Sequence, residues 1–279
     1  MVLYVNRHLR SIKRLKQQGI CIKDNNQHSN RTIRLLIVNL MPKKIDTEFQ
    51  FLSLIGSLPL DVTVDFLHMK SHKPKNSDSA YLAKAYKTFH DIQELTYDRV
   101  IITGAPLEFI PFSEIHYWEE LTKIFSYTHQ HAASTLYICW AAVAGLYYHH
   151  DLKKLTTVRK IFGIFPHTIC EKHDLLNGLN NGFLMPHSRY VYLNEAEINQ
   201  VAQLEILIKS KEAGITLVKS KDNRHIYLTA HPEYEKDTLQ KEYERDQKHG
   251  IRVQPPKNDN LTAPWLEHAK KFFENWLNL

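Results

Sequence analysis

Cys139 lies in the segment TLYICWAAVAG, between the short apolar run 136–138 and the small residues Ala141, Ala142, Ala144 and Gly145. A cysteine at a strand-to-helix junction has the arrangement of a nucleophile elbow, with sulfur in place of a serine oxygen. The helix N-terminus there favours thiolate over thiol. The backbone N–H of Trp140 then points toward an oxyanion hole, and the Gly104 loop, TGAPLE at 103–108, offers a second donor. A partner pair stands in IYLTAHPEY at 226–234. His231 closes a strand-like run, and Glu233 two residues on can accept the other ring N–H. Cysteine, histidine and glutamate in those roles perform covalent acyl chemistry. A third group is NLMPKKIDTE at 39–48, where the adjacent Lys43 and Lys44 can hold phosphate or carboxylate as point charges. Cys21 and Cys170 have no comparable context. Three cysteines make no disulfide framework, and neither they nor His167, His173, His187 and His225 show metal-ligand spacing, so no metal is expected.

These groups can meet only if the elements around them bring strand ends together. Residues 33–40, IRLLIVNL, form a nearly continuous apolar run, as in a parallel strand covered on both faces. A helix is expected over 47–55, starting from a capping box of Thr47 and Gln50. Strands follow at 62–67, 100–103 and 136–138, and helices at 117–131 and 140–148. Later come strands at 204–208, 215–218 and 225–229, partly antiparallel, and helices at 237–249 and 265–277. This alternation predicts an α/β fold with a doubly wound, mostly parallel sheet flanked by helices. In such folds ligands bind at the carboxyl ends of the strands, where 39–48, 104–108 and 139–140 all fall. Residues 1–32 read as a polar, basic N-terminal extension and 33–279 as a single catalytic domain.

Composition sets the class of partner. The 279 residues are 43% hydrophobic and 24% charged, with a net charge of +6. Basic residues are scattered among acidic ones except for Arg7, Arg10, Lys13, Arg14 and Lys16, and no nucleic-acid motif appears, so no nucleic-acid partner is expected. A mildly basic surface suits a polyanionic co-substrate such as a coenzyme A thioester. No apolar run reaches the ~20 residues that span a bilayer, and the basic N-terminus lacks the apolar core of a signal peptide. No membrane partner is expected, and a cytoplasmic location is.

Taken in order, NLMPKKIDTE (39–48), TGAPLE (103–108), YW (117–118), STLYICWAA (134–142), PHSRY (186–190), HPEY (231–234) and NWLN (275–278) resemble the homoserine O-acetyltransferase/O-succinyltransferase family. The resemblance covers about 35–277 and implies a class I glutamine-amidotransferase-like, flavodoxin-like fold. It implies Cys139 as acyl-thioester nucleophile, His231 as general base and Glu233 as the carboxylate beside it. Lys160 and Arg245 match substrate-binding positions, Ser188 a position linked to substrate choice, and Lys43 and Lys44 paired lysines near the thioester. Glu108 matches the position where glutamate accompanies acetyl and glycine accompanies succinyl. A succinyl carboxylate about 4 Å from a glutamate is repelled by roughly 4 kcal/mol at an effective dielectric of about 20, so acetyl-CoA is the expected co-substrate, with no permanently bound cofactor.

The implied activity is ping-pong acetyl transfer to the hydroxyl of L-homoserine, for methionine synthesis, by a homodimer. L-serine, for cysteine synthesis, is the alternative acceptor, since one methylene is worth only about 1–3 kcal/mol of discrimination. Where the family has Trp-Arg-Ser-His, this chain has Trp265-Leu266-Glu267-His268, without the arginine. Two other readings share the fold. A glutamine amidotransferase would carry glycines around the cysteine, where Tyr137 and Ala141 stand. A non-catalytic metabolite-binding relative would not need Cys139, His231 and Glu233 intact. The stripe of Trp265, Phe272 and Trp276 fits either an interface or, at helical spacing, the core.

Overall fold

The structure is a computed structural model that describes residues 1–27, 32–72, 78–256 and 262–279. Among the described residues, eleven strands form one sheet: Leu3–Val5 (β1), Ile22–Asp24 (β2), Ile33–Val38 (β3), Val62–Leu67 (β4), Tyr97–Ile102 (β5), Ala132–Ile138 (β6), Leu155–Ile169 (β7), Phe183–Tyr192 (β8), Leu204–Ser210 (β9), Gly214–Ser220 (β10) and His225–Leu228 (β11). Their order is β2-β1-β4-β3-β5-β6-β11-β10-β9-β7-β8. The strands from β2 to β11 pair in parallel, and β10, β9, β7 and β8 continue the sheet antiparallel.

Helices cover both faces. They are Ile12–Gln17 (α1), Lys44–Gly56 (α2), Ser79–Ala85 (α3), Phe89–Ile92 (α4), Trp118–His131 (α5), Trp140–His150 (α6), Glu195–Asn199 (α7), Thr238–Lys248 (α8) and Leu266–Asn278 (α9). The period-two geometry of a strand sorts its side chains between two cores. In β3, Leu35 and Ile37 pack with α1, α2, α3 and α9, while Leu36 and Val38 pack with α5 and α6. Where both faces are covered every position must be apolar, which is why Leu35, Leu36, Ile37 and Val38 run continuously rather than alternating with polar residues. The α/β fold with a mostly parallel sheet is therefore as the sequence predicts.

The N-terminal segment is not an extension. β1 pairs with β2 on one side and β4 on the other, and Leu3, Val5, Leu9 and Leu15 are buried in the same core as β3. Each such side chain contributes roughly 1.5–3 kcal/mol through burial. Its many charges belong to the short helix and loops around that strand; residues 28–31, within the loop-like run before the expected boundary at 32, lie outside the described residues. The capping box also fails. α2 begins at Lys44, three residues earlier, and Thr47 Oγ1 donates to Lys43 O at 3.3 Å from within the helix. The C-terminal aromatic stripe is core: Trp265, Phe272 and Trp276 are fully buried, and the Trp276 indole N–H donates to Ser134 Oγ at 3.3 Å. No helix among the described residues is long and apolar enough to cross a membrane.

Candidate active site

Cys139 joins β6 to α6 with φ 55° and ψ −114°, a conformation that costs a residue with a side chain about 1–3 kcal/mol. Two neighbours over-determine it. The Cys139 N–H donates at 2.7 Å to the carbonyl of Leu228, the last residue of β11. On the other side lies Gly104, where a Cβ would come within 3.3 Å of Cys139 Cβ and 3.7 Å of His231 Cε1. The glycine is thus what lets the loop after β5 approach the sulfur. Trp140, whose N–H heads α6 without an intrahelical acceptor, follows directly.

His231 follows Thr229 and Ala230 beyond the end of β11, and its own N–H donates to Pro186 O of β8 at 2.8 Å. Its ring stacks on Tyr234, with centroids 4.4 Å apart. Nδ1 lies 2.7 Å from Glu233 Oε1, which leaves Nε2 for the hydrogen bond with Cys139. Burial alone would lower the imidazole pKa, but the negative charges of Glu233 and of the Cys139 thiolate, with hydrogen bonds to both, carry it well above the ordinary value. Cys139, His231 and Glu233 are all almost wholly buried, so the charges and hydrogen bonds that favour the imidazolium act with little screening by water.

Cys139 and His231 open on a cavity of about 390 Å³ whose lining also includes Gly104, Glu108, Lys160, Ser188 and Arg245. Lys160 Nζ is 2.6 Å from Asp246 Oδ2 and 3.8 Å from Glu242 Oε2. The Ser188 hydroxyl donates to Glu242. Arg245 reaches Asp246 Oδ1 at 2.7 Å and Glu242 at 3.8 Å, and half of its side chain remains exposed. Burial pushes the Glu108 carboxyl up, while Lys160, His231 and Lys154 pull it the other way.

Glu242, Asp246, Tyr234 and Tyr190 also line the cavity, and the sequence reading does not single them out. Glu242 and Asp246 are four apart on α8, one turn of the same helix face, with Arg245 between them. That spacing stands in YERD and its flank, and it is the signal that reveals them. The cluster of Lys160 and Arg245 with Glu242 and Asp246 on the wall of this cavity suits a zwitterion such as an amino acid.

Lys43 and Lys44 are not among the cavity-lining residues. Lys43 is exposed at the start of α2. Lys44 turns inward: its Nζ donates to Asn39 O at 2.6 Å and Met41 O at 3.0 Å, and burial brings its pKa down to about 8. It ties the 39–44 loop together, and Met41 of that loop lines the cavity. Cys21 and Cys170 are exposed and take no part in this cavity.

The family model described as homoserine O-succinyltransferase matches residues 2–279. The chain belongs to the homoserine O-succinyltransferase family. Among its relatives, the homoserine O-acetyltransferase of Azobacteroides pseudotrichonymphae is 43% identical, over 100% of this chain and 92% of the relative. That of Acetivibrio thermocellus is 42% identical over 95% and 90%, and that of Bacillus subtilis 41% over 100% and 96%. The fold is shared more widely. A glutamine amidotransferase from Thermotoga maritima superposes with a TM-score of 0.62 over 90% of this chain and 98% of its own, at 10% identity. Another, from Methylobacillus flagellatus, gives 0.58 over 90% and 95%, at 10% identity. The family and amidotransferase-like architecture expected from the sequence are thus borne out, and the match from residue 2 agrees with β1 being part of the fold.

Proposed function

We propose that this chain transfers an acetyl group from acetyl-CoA to the hydroxyl of L-homoserine through a thioester on Cys139. The observation that carries the reading is the buried Cys139–His231–Glu233 line opening on a cavity that holds Glu108 together with the Lys160, Glu242, Arg245 and Asp246 cluster. The names of the relatives point to the same acceptor and acyl group.

In the first half-reaction the Cys139 thiolate attacks the thioester carbonyl carbon. The oxyanion is met by the N–H groups of Trp140 and the Gly104 loop. The bond to the coenzyme A sulfur breaks, and that sulfur leaves with the proton from His231. In the second, neutral His231 takes the proton of the homoserine hydroxyl while its oxygen attacks the acyl-enzyme, a general-base contribution of roughly 10²–10⁴-fold. The carbon–sulfur bond to Cys139 breaks, and the proton on His231 is shared again with the thiolate. Glu233 stabilises the imidazolium each time. Arg245 suits the acceptor carboxylate, and Glu242 or Asp246 suits its ammonium. The product, an O-acetylated amino acid with an activated side chain, fits a step toward methionine.

Intact-mass measurement after incubation with acetyl-CoA alone tests this. One acetyl adduct mapping to Cys139 is expected, and L-homoserine should discharge it faster than L-serine. Labelling by succinyl-CoA but not acetyl-CoA would overturn the assignment of Glu108, and discharge chiefly by L-serine the assignment of the acceptor. A folded protein that takes neither acyl group is not an acyltransferase of this kind.

A further inference from the structure

Glu108 sits in a turn that a distant lysine holds closed. The Ile110 N–H donates to Leu107 O at 3.2 Å, so Leu107 and Ile110 are the corners of the turn and Glu108 and Phe109 its two central residues. Lys154, in the connection between α6 and β7, donates from Nζ to both corner carbonyls, Leu107 O at 3.3 Å and Ile110 O. The same ammonium lies 4.7 Å from the centroid of the Phe112 ring. Phe112 is itself fixed, stacked on Trp118 and Tyr147 with centroids 4.7 Å away in each case. Among the described carboxylates, Glu108 is the one that acts on Lys154 electrostatically. Lys154 is half-buried, so its cation–carbonyl bonds are partly shielded from water and worth more than surface contacts.

We propose that Lys154 is a positioning residue for acyl-donor selection: by bracketing the Leu107–Ile110 turn it fixes the side chain of Glu108 in the acyl pocket. This rests on the reading of Glu108 given above. Without the clamp, two changes act in the same direction. The turn gains freedom to carry the carboxylate out of the pocket, and loss of the nearby ammonium eases protonation of Glu108. Each weakens the repulsion that a donor with a terminal carboxylate meets.

The test compares kcat and KM for acetyl-CoA and succinyl-CoA, with L-homoserine as acceptor, in the wild type, Lys154→Met, Lys154→Arg, Glu108→Gly and the double variant Lys154→Met/Glu108→Gly. Lys154→Met is expected to cut the acetyl-over-succinyl preference about tenfold, mainly through a lower KM for succinyl-CoA. Lys154→Arg, which can still reach two carbonyls, should keep the preference within about threefold. In the Glu108→Gly background Lys154→Met should leave the preference unchanged. Equal losses with both donors, or the same shift with and without Glu108, would overturn the proposal, because Lys154 would then act as general support. A preference moved by Glu108→Gly but not by Lys154→Met overturns the role of Lys154 alone. A preference that Glu108→Gly does not move overturns the reading of Glu108 and this inference with it. Should Lys154→Met lower the melting temperature enough to complicate the assay, Lys154→Gln carries the same expectations.

Discussion

His231 is buried and still favours its charged form, so the negative groups beside it outweigh the burial that opposes the charge. Glu233→Gln keeps an acceptor for Nδ1 and removes one of those charges. The imidazolium then becomes less favourable, so His231 is less able to draw the proton from sulfur. Alkylation of Cys139 by iodoacetamide near pH 7 should fall, about tenfold for every 1.4 kcal/mol by which the imidazolium is weakened. An unchanged rate near pH 7 would mean that Glu233 orients His231 without acting through its charge. At this scale the sequence is informative where chemistry constrains a type: Cys139, His231, Gly104 and Glu108 all line one cavity, with Glu233 behind His231. It is less so for Lys43 and Lys44. A pair of lysines after a strand looks like an anion site, but Lys44 serves the carbonyls of its own loop. Which way a flexible side chain turns depends on acceptors that only the folded backbone supplies.

The elements most clearly legible are those with apolar faces on both sides or a full helical stripe, such as β3, α5 and α6. The long hairpin of β7 and β8 is not legible. It carries Gly163, Pro166 and the buried polar residues His167, His187, Ser188 and Arg189, which interrupt any period-two pattern. Several of those polar residues are satisfied by one another: Arg189 Nε donates to His187 Nδ1 at 3.3 Å, and His187 Nε2 is 3.1 Å from His167 Nε2. The small residues of α6 suggest close approach to the strand, and the structure makes the reason specific. A Cβ on Gly145 would come within 2.8 Å of Tyr137 Cδ1 and 2.9 Å of Tyr227 Cε1. These rings are fully buried and stacked on each other with centroids 5.1 Å apart, so neither can swing aside. Alanine would gain up to about 1 kcal/mol of helix propensity over glycine, but overlap with a packed core costs about 1–3 kcal/mol. Gly145→Ala should therefore lower the urea midpoint, and a rise would show that this contact is soft.

Across the whole molecule, buried neutral histidines tie stability to pH. On the side of the sheet away from the strand ends that hold Cys139, His225 Nε2 lies 3.0 Å from His129 Nδ1, and His149 stacks on His225 with centroids 4.1 Å apart. Burial, reinforced by neighbouring histidines, brings His149 down to about 2 and His225 to about 4, and burial brings His167 down to about 4. Unfolded, each would titrate near 6.5. At these three positions the folded state binds fewer protons, so their contribution to stability is complete above about pH 6.5 and falls as the pH drops toward the folded values. Each neutral histidine contributes on the order of 1.4 kcal/mol per pH unit in that window. Glu48, Glu108 and Glu235, whose carboxyls burial pushes up, and the charged His231 act in the opposite sense, so the total slope is smaller than the histidines alone would give. A difference measurement isolates one group. The Tyr137 hydroxyl lies 2.9 Å from His149 Nε2, and glutamine at 149 can keep that hydrogen bond without a titrating ring. Urea midpoints for the wild type and His149→Gln, taken between about pH 7 and 5, should converge as the pH falls, because only the wild type loses the His149 share. Parallel pH curves would mean that His149 takes up its proton in the folded protein at the ordinary value, and that this corner of the sheet opens to water.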